Sequence, residues 1–68
     1  MSSIKYPSIS LEAARVNAGY TQSKAAIKLG ISVKTLQNYE KGITFPTTQK
    51  AKEMAALYNF PEDYIFFG

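Results

Sequence analysis

Lys34, Gln37, Asn38 and Lys41 fall in one short stretch, "GISVKTLQNYEKG", closed at each end by glycine. At 100° per residue these four side chains point roughly opposite to Leu36 and Tyr39. Their chemistry is that of hydrogen bonding to nucleobase edges. A Gln or Asn amide both donates and accepts, and can hold adenine N6 and N7 together. A Lys ammonium donates to guanine O6 and N7. Val33, at the start of the stretch, can meet a thymine methyl. The same pattern also suits an ordinary solvated helix face, so the flanking elements have to decide between the two.

Other chemistries lack their parts. The chain of 68 residues has no Cys and no His. That removes a disulfide framework, a thiolate metal site, and the commonest metal ligand and general base near neutral pH. No glycine-rich phosphate loop is present, and Glu40 has no second group spaced to help it as a catalytic acid. A non-enzyme with no metal and no cofactor is expected. No apolar run reaches the ~18 residues of a membrane span, and "MSSIKYPSIS" lacks the apolar core of a leader. A soluble cytoplasmic protein with no membrane partner is the expectation. Charge is unevenly spread: residues 1–52 hold all eight basic side chains against Glu12 and Glu40 alone, while residues 53–68 hold Glu53, Glu62 and Asp63. A basic body favours a polyanionic partner.

The elements that would position the polar stretch are short helices, punctuated by Gly19, Gly30, Gly42, Pro46 and Pro61. Residues 1–9 are expected to form an irregular arm, with Pro7 blocking a helix. Ser10 caps a helix over about 11–18, with Leu11, Ala14, Arg15 and Ala18 on one face and Gly19 at its end. Thr21 caps the second, about 22–29. Its Ala25, Ala26 and Leu29 face inward, while Lys24 and Lys28 face out. Ser32 caps the third, about 33–41. Only Gly30, Ile31 and Ser32 separate the second and third helices, which is the short turn of a helix-turn-helix. Thr47 caps a fourth, about 48–58, with Ala51, Met54, Ala55 and Tyr58 as its apolar stripe. Phe45 is expected to anchor the preceding loop, and "FPEDYIFFG" to form a last turn or short helix from about 61. No strand alternation of four or more residues is present. The expected fold is all-α: five short helices in a compact bundle, one domain over 1–68, with the helix-turn-helix at about 21–42.

"TQSKAAIKLGISVKTLQNYEKG" closely resembles the helix-turn-helix of the phage repressor and Cro family, the xenobiotic-response-element-type group. The matching residues are Thr21, Gln22, Ala26, Gly30, Ile31, Ser32, Glu40, Lys41, Gly42 and Pro46. Ala25 stands where that family usually has leucine, and Ile31 where it has valine. Leu11 and Arg15 fit the family's first helix, and "LYNFPEDYIFFG" its end, so the resemblance covers about residues 10–68. It implies a lambda-repressor-like DNA-binding domain that reads the major groove of duplex DNA, usually as a dimer on a two-fold operator, without metal or cofactor. The short members of the family include Cro-like proteins and repressors of phages and mobile elements.

Carried onto these residues, the resemblance makes Val33, Lys34, Gln37 and Asn38 the base-contacting set. Thr21 and Gln22 become phosphate contacts, and the glutamine also braces the recognition helix. Ser32, at the start of the third helix, has the same double reading as Thr21, and Lys41 joins the phosphate set as a weaker candidate beside Lys24 and Lys28. Helix N-termini suit phosphate in any case, through their free N–H groups and dipole. Thr21 and Ser32 also serve as plain caps. Arg15, on a core face, needs a partner; Glu40 lies beside Leu36, and the family pairs these two positions. In "YIFFG", Ile65 fits the family's core leucine, leaving Phe66 and Phe67 as candidates for a homodimer interface. The competing reading is a protein-interaction module, such as an antirepressor or the antitoxin of a toxin–antitoxin pair.

Overall fold

The computed structural model describes residues 9–66. Four helices follow in order: α1 (Leu11–Asn17), α2 (Gln22–Leu29), α3 (Val33–Lys41) and α4 (Thr48–Tyr58). Each starts on a hydroxyl. The side chains of Ser10, Thr21, Ser32 and Thr47 accept from the N–H groups of Ala13, Lys24, Thr35 and Lys50. Such a cap satisfies one orphan amide of the first turn and stabilises the helix by about 1 kcal/mol. Helices of seven to eleven residues are too short to stand alone in water, so the caps fix where they start and packing keeps them formed.

The turn between α2 and α3 depends on Gly30. Its φ of +70° lets the chain leave α2 in the left-handed region, and the Ile31 N–H returns to the Ala26 carbonyl at 3.0 Å. A Cβ at Gly30 would meet nothing within 4 Å. Backbone conformation, not crowding, is what asks for glycine there. Lys50 reinforces the same corner from α4: its Nζ donates to the Leu29 carbonyl at 2.7 Å, at the negative end of α2, and to Glu53 at 2.8 Å. That ammonium holds the Glu53 carboxyl below its ordinary range.

The core joins Leu11 and Ala14 of α1, Ala25, Ala26 and Leu29 of α2, Leu36 of α3, the stripe of α4, and Ile65. Small side chains at 25 and 26 let α2 lie close to its neighbours.

The expectation of five helices is corrected. After α4, Pro61 leads into a single 3-10 turn, Glu62–Tyr64, closed by the Ile65 N–H on the Glu62 carbonyl. The chain then extends as β2 (Ile65–Phe66), parallel to β1 (Ile9–Ser10), with Ile9 opposite Ile65 and Ser10 opposite Phe66. Three residues cannot close an α-helical ladder, and β-branched Ile65 favours extended backbone. The expected arm therefore ends in a strand at Ile9; its residues 1–8 lie outside the described residues, as do Phe67 and the side chain of Phe66.

Arg15 is buried beneath these elements. Its Nε donates to Glu40 Oε2 at 2.7 Å, its Nη2 lies 3.4 Å from Glu40 Oε1, and its Nη1 donates to the Tyr20 carbonyl at 2.8 Å. The two side chains are 8% and 4% exposed. One guanidinium thus ties α1, the loop before α2, and α3. Beside it, the Tyr20 and Tyr58 rings lie 6.2 Å apart, and the Tyr58 hydroxyl is buried with no hydrogen-bond partner among the described residues. Burial, then the Glu40 charge, pushes the Tyr58 phenol up to about 12.

Two outcomes are expected. Arg15→Ala strands a buried carboxylate and should cost about 3–5 kcal/mol, while Arg15→Met with Glu40→Leu should recover much of it; urea melts of the single and double variants check both. The raised phenol gives stability that is complete below the unfolded value of 10.0 and lost as pH rises through about 12. Tyr58→Phe should abolish its share of that alkaline loss and leave melting at neutral pH unchanged or slightly higher, because no hydrogen bond is removed.

Candidate nucleic-acid interface

The turn Gly30–Ser32 sets α3 against α2, and the inner side of α3 decides what its outer side presents. Leu36 is fully buried, and Val33 and Tyr39 pack half-buried against the core. Lys34 and Lys41 are exposed, while Gln37 and Asn38 are half-buried. All four polar side chains therefore belong to one helix held by one anchor, as the spacing requires.

The charge that α2 and α3 expose is of one sign. Lys24, Lys28, Lys34 and Lys41 are all exposed. Between Thr21 and Gly42 the only acidic residue is Glu40, and its carboxylate is buried against Arg15. An approaching anion meets cations and amides with no exposed carboxylate from α2 or α3. Among the described residues no three His, Cys, Asp or Glu side chains gather where a metal ion would fit. No described helix is long and apolar enough to cross a membrane.

The helix starts are partly engaged already. Thr21 Oγ1 accepts from the Lys24 N–H at 3.2 Å. Ser32 Oγ accepts from the Thr35 N–H at 3.0 Å and donates to Thr35 Oγ1 at 2.9 Å. What these positions offer a phosphate is thus the backbone amides of the first turn, with the hydroxyls holding those turns in place.

Gln22 is placed differently from its two neighbours in role. Its Nε2 donates to Glu40 Oε1 at 2.9 Å, and its Oε1 accepts from Gln37 Nε2 at 3.3 Å. The structure therefore joins Arg15, Glu40, Gln22 and Gln37 in one run of hydrogen bonds from the core to the outer side of α3. That Gln22 reaches α3 is what the resemblance implies; that it does so through Gln37, fifteen residues on, carries no signal in the local sequence, nor does the reach of Lys50 to Leu29.

One expectation is corrected at the edge of this surface. Phe45 does not anchor its loop. It is 63% exposed, as is Ile43. Leu36 and Met54, both fully buried, close the core without it, so the loop after α3 carries two apolar side chains in solvent.

Comparison with known proteins agrees with this geometry. A helix-turn-helix family model matches residues 11–65, from the first residue of α1 to the first of β2. The chain is also similar to the HTH-type transcriptional regulator ImmR of Bacillus subtilis (strain 168), 44% identical over 55 residues. The match covers 81% of this chain and 43% of that regulator, so the chain spans less than half of its relative's length.

The division between anchor and presented side chains has a direct consequence for stability. Leu36→Ala should cost about 2–5 kcal/mol through the cavity it leaves. Lys34→Ala and Lys41→Ala should each stay within about 0.5 kcal/mol of the parent. Urea denaturation of the three variants under one buffer condition measures the contrast.

Proposed function

The chain belongs to the Cro/C1-type helix-turn-helix family, and from that premise we propose that it is a sequence-specific regulator of transcription that lays α3 in the major groove of duplex DNA. The observation that carries this reading is the outer side of α3: Lys34, Gln37 and Asn38 stand roughly opposite the buried Leu36, and neither α2 nor α3 exposes a carboxylate. Val33, at the N-terminal end of α3, meets bases with them, as residues early in a recognition helix do. Thr21, Gln22 and Ser32 approach phosphates through the amides that open α2 and α3, and Lys41 does so through its charge. The role is that of a repressor of the phage or mobile-element type, acting on DNA as a homodimer across two half-sites about 10 base pairs apart.

The experiment compares specific with non-specific affinity at one fixed salt concentration, since phosphate contacts make every affinity salt-dependent. Lys34→Ala, Gln37→Ala and Asn38→Ala should each cost about 1–3 kcal/mol on the specific site wherever the side chain makes a bidentate contact. Non-specific binding should change little for the two uncharged residues. Thr21→Ala should instead weaken all sequences alike. A triple-alanine variant at 34, 37 and 38 that stays folded and keeps the parental ratio contradicts the reading. A chain that shifts no duplex at any salt concentration favours the protein-interaction module instead.

A further inference from the structure

We propose that the loop after α3 grips the sugars of the duplex: Ile43 and Phe45 pack against deoxyribose at the rim of the groove that α3 reads, and add affinity that depends on neither sequence nor salt. This inference rests on the reading of α3 as the base-reading helix, and it assigns a ligand to two apolar side chains that the core leaves in solvent.

α2, α3 and α4 end alike, and the end of α3 is incomplete. A left-handed residue, Gly30, Gly42 or Asn59, turns the chain after each helix. The next residue's N–H then returns to the helix: Ile31 to the Ala26 carbonyl at 3.0 Å, Ile43 to that of Asn38 at 2.9 Å, and Phe60 to that of Ala55 at 3.1 Å. In such an end the residue after the turn frequently lays its side chain on apolar places in the last turn of its own helix. Ala25 and Ala26 supply those places in α2, Met54 and Ala55 in α4, and Ile31 and Phe60 pack half-buried against the core. In α3 the same places hold Gln37 and Asn38. Ile43 is left 63% exposed, and so is Phe45 two residues on.

The apolar partner these side chains lack has to come from outside, and the loop's attachment says from where. The N–H groups of Ile43 and Thr44 both return to the Asn38 carbonyl, the second at 3.4 Å, so the loop travels with a base-reading residue. α3, with nine residues, is about 13 Å long, and a major groove is about 12 Å wide. With the first turns of α3 on base edges, the chain beyond Lys41 meets the wall of the groove, where phosphates alternate with sugars. No charged side chain lies between Lys41 and Lys50. The loop therefore offers a phosphate little beyond its amides, whereas the carbon-rich face of a deoxyribose matches an isoleucine and an aromatic ring. Pro46 fixes the backbone just past Phe45, so little freedom is lost when the contact forms.

The test compares the parent with Phe45→Ser, Ile43→Ser and the double variant. Affinities are measured over a series of salt concentrations on a duplex selected from a random pool, on its single-base variants, and on one of its half-sites alone. Losing about 60 Å² of apolar contact should lower the affinity of the double variant about tenfold on every one of these duplexes. The slope of log affinity against log salt should stay at the parental value, because no counterion is released by a sugar contact. Urea melts of the variants should match the parent, since both side chains lie in solvent in the free chain. In the complex, the Ile43 methyl and Phe45 ring protons should show nuclear Overhauser contacts to deoxyribose protons. A slope lowered by about one marks a lost phosphate contact, a loss confined to one base pair marks a thymine methyl, and a loss on the two-site duplex alone marks a contact between copies of the chain; each overturns the proposal. So does parental affinity in the double variant, and all four results leave base reading by α3 standing. A parent chain with no preference among duplexes overturns the base-reading premise itself, and the proposal with it.

Discussion

Arg15 and Glu40 are the constraint on which the rest depends. The pair lies where α1, the loop before α2, and α3 meet, and neither charge reaches water freely. A buried pair of this kind is weak evidence of net stabilisation, because desolvation offsets much of the Coulomb gain. Its value is in geometry. Each charge, once buried, tolerates few arrangements of its surroundings, so the position of α3 relative to α1 is set by where the guanidinium and carboxylate can satisfy one another. Apolar contacts at Leu36 and Met54 hold the same elements together with less directional demand.

From that hub the fold reaches outward by local rules. Helices this short depend on four hydroxyl caps and on left-handed residues at the ends of α2, α3 and α4. Gly30 makes the turn after α2 short, and the short turn brings α3 across α2 with its anchor inward. The polar side of α3 is what remains. Glu40 belongs to both layers: it neutralises Arg15 inside and orients Gln22 toward the surface. One carboxylate thus bonds both the buried guanidinium and a side chain that reaches α3.

Much of this was legible in the residues. The caps at Ser10, Thr21, Ser32 and Thr47 and the breaks at Gly19, Gly30 and Gly42 are chemical signals confined to a few neighbouring positions. Arg15 was conspicuous as a charge on an apolar face. The rest depends on long-range contact. A two-residue strand such as Ile65–Phe66 shows no alternation, so its pairing with Ile9–Ser10 leaves no trace in the pattern. Phe45 looked like an anchor from its type alone, yet burial depends on whether the core has room. The resemblance implies that Gln22 braces α3, but no local signal picks Gln37 as the residue it meets.

The central claim is that α3 reads bases. Selection from a pool of random duplexes with the parent chain, at one salt concentration, tests it most directly. The account predicts a recurrent motif of two related halves about 10 base pairs apart. A bound pool with no recurrent motif, captured in a salt-dependent way, would show a basic surface that holds DNA without reading it, and would contradict the account.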